Sequence, residues 1–395
     1  MDIQEKIKAL AENYHQEIIQ IRRYLHQHPE LSFEEFETSK YIVQQLDKIG
    51  IEYKTGFVKT GIVGHIYGKN PTKKVVALRA DMDALPIIEE NDVPYKSTNN
   101  AMHACGHDVH TASLIGTAKI LNELKEEFEG TIKLIFQPGE ELIPGGAILM
   151  MQEGALDNPE PDIVIGQHTY PGLPAGKIGM KPGNYMASSD EIYLTVKGKG
   201  GHAAIPEDVI DTVLMASKII VRLKEQISTR NYTTTPTILS FGKVIANGAT
   251  NVIPNEVKIE GTFRTFHEGW RKEAHSKIIN IAQSIAKDMG GSCEVLIKNG
   301  YPYLKNDEEF TEKVMLIGND YLGEKNVKKL KQRLTSEDFA YYSHKYPSVF
   351  YRLGISNCDQ GITSQLHSST FNIDEEALKT GMGFMAFLAI KLLAD

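Results

Sequence analysis

The sequence predicts an α/β protein. A larger domain, with a mixed and mostly parallel sheet flanked by helices, carries a smaller ferredoxin-like βαββαβ insertion. Three observations carry this. Short, continuous apolar runs alternate with amphipathic segments over the first 183 residues, as expected for strands buried between covering helices. From about residue 184 to 299 the order becomes strand, helix, strand, strand, helix, strand, which is that of a split βαβ unit. The chain then returns to helix, strand and closing helix, and 395 residues exceed the usual size of one domain. The expected division is therefore 1–183 with 300–395, and 184–299.

An amphipathic helix covers roughly the first 28 residues, and FEEFETSKYIVQQLDKIG reads as a second. IVGHIYG, KKVVALRA, TIKLIFQ and PDIVIGQ read as buried strands, with VHTASLIGTAKILNELKEE a helix between the second and third. GNYMASSD, small and polar, reads as a linker. The insertion comprises EIYLTVKG, DTVLMASKIIVRLKEQI, TILSFGKVIA, EVKIEGTFRTF, RKEAHSKIINIAQSIAKDM and SCEVLIK. Beyond NGYPYLKND come a helix, the strand SVFYRLG and a last helix. The apolar core of that helix, MGFMAFLAI, is too short to cross a bilayer before Lys391 and reads as a core helix.

A net charge of -8 argues against nucleic acid as a partner, since binding it calls for basic stripes. The N-terminal segment has no apolar core of a secretory signal. The three cysteines, Cys105, Cys293 and Cys358, are odd in number and far apart. A cytoplasmic protein without disulfides, and without membrane attachment, is expected.

The chemistry gathers at strand ends. KKVVALRA is followed by Asp81 and Asp83, TIKLIFQ by Glu140 and Glu141, and PDIVIGQ by His168. His103, Cys105, His107 and Asp108 lie just before a long helix. Open α/β sheets bind ligands beyond the carboxyl ends of their strands, so these segments deliver sulfur, imidazole and carboxylate to one edge. Cys105 and His107, two apart on a turn, can reach one ion. Of the neighbours Glu140 and Glu141, one can ligate while the other serves as base. A divalent ion lowers the pKa of water towards ~7, and two ions about 3.5–4 Å apart with a bridging ligand do so better. Singly, each feature also has a plain reading: Asp108 as a helix N-cap, His110 as structural, Glu140-Glu141 as a solvated turn, Cys105 as a buried packing residue. His15, His26, His28, His65, His267, His275 and His344 lack ligand spacing and read as surface or core.

RADMDALP, MHACGHDVHT, FQPGEE, GQHTYPGLPAG, GKGGHAAIP, NVIPNEV with Arg264 after it, TSEDFAYY and LHSSTFNIDEEAL follow one another along the chain. In this order they resemble the aminoacylase/carboxypeptidase-like dinuclear metallopeptidase family. Within it they are similar to the amidohydrolase branch of hippurate hydrolases, indole-acetyl-amino-acid hydrolases and N-acetyldiaminopimelate deacetylases. The likeness runs from RRYLHQHPELSFEE at residue 22 to the last helix. It implies a catalytic domain with an inserted lid that also dimerises, and two divalent ions (Zn, Mn, Co or Ni). It implies Cys105 as bridging ligand, with His107, Glu141, His168 and His367 as the others. Glu140 would be the general base, and His202 would stabilise the oxyanion, reaching the partner subunit's site in a homodimer or larger oligomer. Asn251 and Arg264 would bind the substrate carbonyl and carboxylate. The better-known branch carries His-x-Asp where this chain has Asp81-Met82-Asp83. Asp83 is accordingly expected to orient a ligand imidazole, the role of His103 stays open, and TSEDF is either part of the site or a helix cap.

The implied activity is hydrolysis of the amide bond of an N-acyl amino acid, with a small molecule or short peptide as partner. A metallo-carboxypeptidase or dipeptidase would use the same residues. A cysteine hydrolase built on Cys105 with His107 or His103 would leave Glu140, Glu141, His168 and His367 without roles. A closed structural metal site would place its ligands close together in sequence, not spread from Cys105 to His367.

Overall fold

The computed structural model describes residues 2–228 and 236–394. It contains two compact units: one comprises residues up to 185, 305–332 and 338 onward, and the other comprises 186–304 with 333–337.

In the first unit, α1 (Ile3–Gln27) starts from Asp2, whose side chain accepts from the Glu5 N–H while the Glu5 carboxylate accepts from the Asp2 N–H. Then follow α2 (Phe36–Ile49), β1 (Glu52–Phe57), β2 (Gly61–Tyr67), β3 (Val75–Asp81), α3 (His107–Glu123), β4 (Thr131–Gln137), α4 (Gly146–Gln152), β5 (Ile163–Pro174), β6 (Ile178–Met180) and β7 (Gly183–Met186). The second unit holds β8 (Asp190–Lys197), β9 (Gly201–His202), α5 (Thr212–Ile227), β10 (Thr237–Ile245), β11 (Val252–Ile253), β12 (Glu256–Thr265), α6 (Glu268–Asp288) and β13 (Ser292–Asn299). After β14 (Leu304–Asn306) the first unit resumes with α7 (Glu308–Leu322), β15 (Val327–Lys329), α8 (Ala340–Lys345), β16 (Ser348–Ser356) and α9 (Ala377–Ala394).

The large sheet has the order β1-β2-β4-β3-β5-β16-β6-β15. β3 runs parallel to both β4 and β5, and β5 parallel to β16, whereas β1, β2 and the β16–β6 pair are antiparallel. Every residue of β3, β4 and β16 is buried, as parallel strands covered on both faces must be. α3 is buried around its whole circumference. It lies so close to its neighbours that a Cβ on Gly116 would come within 2.7 Å of Met382 on α9 and 3.1 Å of Ile18 on α1. α9 is long and apolar enough to cross a membrane, yet 78% of it is buried within the protein, so its apolar surface is spent on the core. From β3 the chain passes through α3 to β4 on one side, then through α4 to β5 on the other. That reversal opens a crevice at the carboxyl ends of β3, β4 and β5.

The second unit is an antiparallel sheet of order β10-β12-β8-β13. β8 alternates buried and half-buried residues, and its inward face packs on α5 and α6 around Ile192, Leu194, Ile219 and Ile278. The short ribbon of β9 and β11 pairs His202 with Val252.

Three local expectations need correction. β1 was missed because EYKTGF is a mostly exposed edge strand without an apolar run. β5 does not stop before His168 but continues to Pro174, because β16 pairs with it as far as Pro174. GNYM is not a linker: it forms β7, with Tyr185 and Met186 buried.

Candidate metal centre

Strand ends and one helix start bring the donors together. β3 leads into Asp81 and Asp83, β4 into Glu140 and Glu141, β5 contains His168, and Cys105 and His107 stand at the start of α3. His367 joins from the loop before α9, in a left-handed conformation with φ 63°, its N–H bonded to the Ala104 carbonyl at 2.8 Å.

The ligand atoms of Cys105, His107 and His168 all lie within 4.8 Å of one another, as do those of Cys105, Glu141 and His367. Cys105 Sγ is common to both sets. Two ligands bound at ~2.0–2.3 Å to one ion stand at most ~4.6 Å apart, so both sets come close to the span of a metal shell. Cys105 Sγ is 3.4 Å from His168 Nε2, and His367 Nε2 is 3.2 Å from Glu141 Oε1.

The imidazoles are aimed by their outer nitrogens. His107 Nδ1 lies 2.9 Å from the Asp83 carbonyl oxygen and 3.2 Å from Asp83 Oδ1, which turns Nε2 inward, where it is buried without a hydrogen bond. His168 Nδ1 donates to the Thr169 carbonyl at 2.8 Å. Asp83 also accepts from the Ser32 hydroxyl at 2.6 Å and the Glu141 N–H at 2.9 Å. Partners of this kind fix tautomer and ring orientation in metal sites. Glu140 is only 6% exposed, not on a solvated turn, and its carboxylate accepts from the Asp338 N–H at 3.4 Å.

The electrostatics suit a cation. Burial, then Glu141, pushes the Cys105 thiol above its ordinary value, while His107 and His367 draw it back. Burial opposes charge on His107, but Asp81 and Cys105 outweigh it and hold the imidazole well above the usual histidine range. Hydrogen bonds to Cys105 and Glu141 raise His367 to about 10. Burial, with Arg352 and His110 beside it, keeps His168 well below its ordinary value and so available as a neutral donor. Sulfur, imidazole and carboxylate in one cluster, buried at Cys105, His107 and His168 and opening to solvent at His367, with His107 Nε2 making no hydrogen bond, form a donor set that fits divalent transition metals better than Mg or Ca.

His202, Asn251 and Arg264 all fall in the second unit. The first two are neighbours: the Asn251 carbonyl accepts from the Ala203 N–H at 3.0 Å, beside the β9–β11 pair. Arg264, on β12, donates from Nη1 to Ser336 Oγ at 2.7 Å and from Nε to Thr262 Oγ1 at 3.2 Å.

Two minor readings fail. Asp108 is not the cap of α3, a position held by Gly106. It is a buried counter-ion, with Oδ2 accepting from Arg22 Nε at 2.8 Å and lying 2.8 Å from His26 Nδ1. Asp338 of TSEDF does not cap α8, which starts from Phe339 without a side-chain cap; it accepts from Arg79 Nη2 at 2.7 Å and from the Ala147 N–H, on the first turn of α4, at 2.9 Å. Sequence reasoning passed over Glu35, whose carboxylate accepts from the Gly139 N–H at 2.8 Å and so braces the turn before Glu140. Its only signal was its place in HPELSFEE.

Comparison with known proteins agrees along the chain. The model of peptidase family M20/M25/M40 matches residues 77–391. The chain is 38% identical to the N-acetylcysteine deacetylase of Bacillus subtilis, over 96% of this chain and 98% of that one. It is also 38% identical to thermostable carboxypeptidase 2 of Saccharolobus solfataricus, over 99% of each. The crystal structure of a Bacillus subtilis protein described as a dinuclear metal binding peptidase from the M20 family superposes with a TM-score of 0.82, at 35% identity over 97% of this chain and 99% of that one.

Proposed function

This chain belongs to peptidase family M20/M25/M40, and from that premise we propose that it is a metal-dependent amidohydrolase of N-acyl amino acids. The observation that carries the proposal is the sharing of Cys105 between two ligand sets, with the buried Glu140 adjoining one of them. Cys105, His107 and His168 would hold one divalent ion, and Cys105, Glu141 and His367 the other. Zn, Mn, Co and Ni all suit these donors. Bound ions would polarise the amide carbonyl, acidify water and keep Cys105 as the thiolate.

Glu140 takes the proton from the attacking water and passes it to the leaving amine nitrogen. The Asp338 N–H donates to its carboxylate at 3.4 Å and helps hold it in place. Asp83 orients His107 and, through the Glu141 N–H, fixes the turn that carries both glutamates. On the second unit, His202 stabilises the developing oxyanion, Asn251 binds the substrate carbonyl, and the planar fork of Arg264 receives the carboxylate. Homodimerisation through this unit, with His202 acting on the partner's site, and a cytoplasmic location belong to the same proposal. Free cysteines, with Cys105 and Cys293 buried, support a reducing compartment.

A metallo-carboxypeptidase is the second reading, supported by the likeness to the Saccharolobus enzyme. The test is a hydrolysis screen of N-acetyl, N-benzoyl and indole-acetyl amino acids and dipeptides, repeated with Zn, Mn, Co and Ni after metal removal. Ion-dependent release of the amino acid from N-acyl substrates is expected. Faster cleavage of peptides would favour the carboxypeptidase. Activity indifferent to a strong chelator but killed by thiol alkylation would overturn both in favour of a cysteine hydrolase.

A further inference from the structure

His110 carries two hydrogen bonds that leave it no free ring nitrogen. It is buried on the first turn of α3, three residues after His107. Nδ1 bonds Asp81 Oδ1, an acceptor that fixes the ring as the Nδ1–H tautomer. Nε2 must therefore accept, and it takes the Thr169 N–H at 2.9 Å. Asp81 is itself anchored: Arg79 Nη1 donates to Oδ2 at 2.7 Å and Thr111 Oγ1 donates to its carbonyl at 2.8 Å.

Thr169, held in this way, ties down two donors at once. Its carbonyl accepts from His168 Nδ1 at 2.8 Å, and its hydroxyl donates to the Cys105 carbonyl at 2.8 Å. Its approach is so close that a Cβ on Gly106 would fall 2.6 Å from Thr169 Oγ1. The other donors are set differently: the Glu141 N–H bonds Asp83, and the His367 N–H bonds the Ala104 carbonyl.

We infer that His110 is a positioning residue that, through Thr169, sets His168, which belongs to the Cys105–His107–His168 half alone, together with the shared Cys105, and so acts more on that half than on the Glu141–His367 half. Although Asp81, His107 and His110 also lie within ligand range of one another, His110 has both nitrogens engaged and is no ligand. The inference rests on the two-ion reading above and assigns its asymmetry to named residues.

The test is stepwise binding of Co2+ to the metal-free protein, by competition with a chromophoric chelator and by thiolate-to-cobalt absorption. Wild type is expected to bind in two steps. His110→Ala should weaken one step by about 10–100-fold, the usual effect of losing an outer-shell partner, and leave the other within about 3-fold. His110→Gln, which keeps one donor and one acceptor, should recover most of the loss. Thr169→Val removes only the hydroxyl that holds the shared Cys105 and keeps the carbonyl that holds His168, so it should weaken both steps to a similar extent, giving a readout that does not depend on the folding of His110→Ala. Unchanged affinities in His110→Ala, equal weakening of both steps in that variant, or weakening of only one step in Thr169→Val would overturn the inference. Cys105→Ser, run alongside, separates it from the two-ion reading. If that variant keeps both steps, the shared-ligand reading fails. If it loses both while the His110 and Thr169 variants behave as wild type, only the role of His110 fails.

Discussion

Gly139→Ala is expected to damage catalysis from one residue away. Gly139 has φ +61°, its N–H bonds Glu35 Oε1 at 2.8 Å, and a Cβ built there would stand 2.4–2.8 Å from atoms of the Phe33 ring. The left-handed conformation costs alanine about 1–2 kcal/mol. Overpacking against a buried turn costs about 1–3 kcal/mol more, so strain of about 2–5 kcal/mol falls on the peptide that leads into Glu140. The cheapest relaxation moves the turn, and a displacement of about 1 Å at a catalytic group lowers rate by ~100-fold. The assay is kcat for an N-acyl amino acid, with urea unfolding of the same preparation. Adding Phe33→Ala should remove the clash but not the backbone term, so the double variant should recover part of both stability and kcat. Wild-type kcat and stability in Gly139→Ala, or a double variant no better than the single, would refute the reasoning.

Two further predictions concern charges in the core. Arg79 is fully buried between Asp81 and Asp338, at 2.7 Å from each; Arg79→Met removes the guanidinium that both carboxylates share and should cost about 3–5 kcal/mol in urea unfolding, and a loss below about 1 kcal/mol would contradict the pairing. His65 is pushed down to about 4 by burial and by Lys133, its cross-strand partner, against an ordinary 6.5. Between those values the unfolded chain binds more protons than the folded one, so stability should fall as pH drops from about 6.5 to 4. His65→Leu should flatten that slope in urea midpoints taken at several pH values; an unchanged slope would assign it to other groups.

The parts legible in the sequence share a physical reason. β3, β4 and β16 carry apolar residues on both faces because they are buried on both, and such runs show without a structure even where Arg79, Lys133 or Arg352 interrupts them. Cys105, His107, Glu140, Glu141 and His168 were legible because few roles other than metal chemistry bring sulfur, imidazole and carboxylate to adjoining strand ends. The buried charge networks were not. Asp108 reads in sequence as a helix cap, as does Asp338 in TSEDF, and nothing local marks Arg22, His26 or Arg79 as their partners. Their partners lie as far as 259 residues apart, and no local pattern announces such a pair. β1 escaped for the opposite reason, since an exposed edge strand has no burial to reveal it.

The central claim is that Glu140 moves the proton while its neighbour Glu141 holds metal. The most direct measurement is turnover of Glu140→Gln together with its metal content, both taken on the same dialysed preparation. Two ions per chain with hydrolysis reduced by about 10²–10⁴-fold is the expected result. Substantial residual hydrolysis in a variant that still holds both ions would contradict the account.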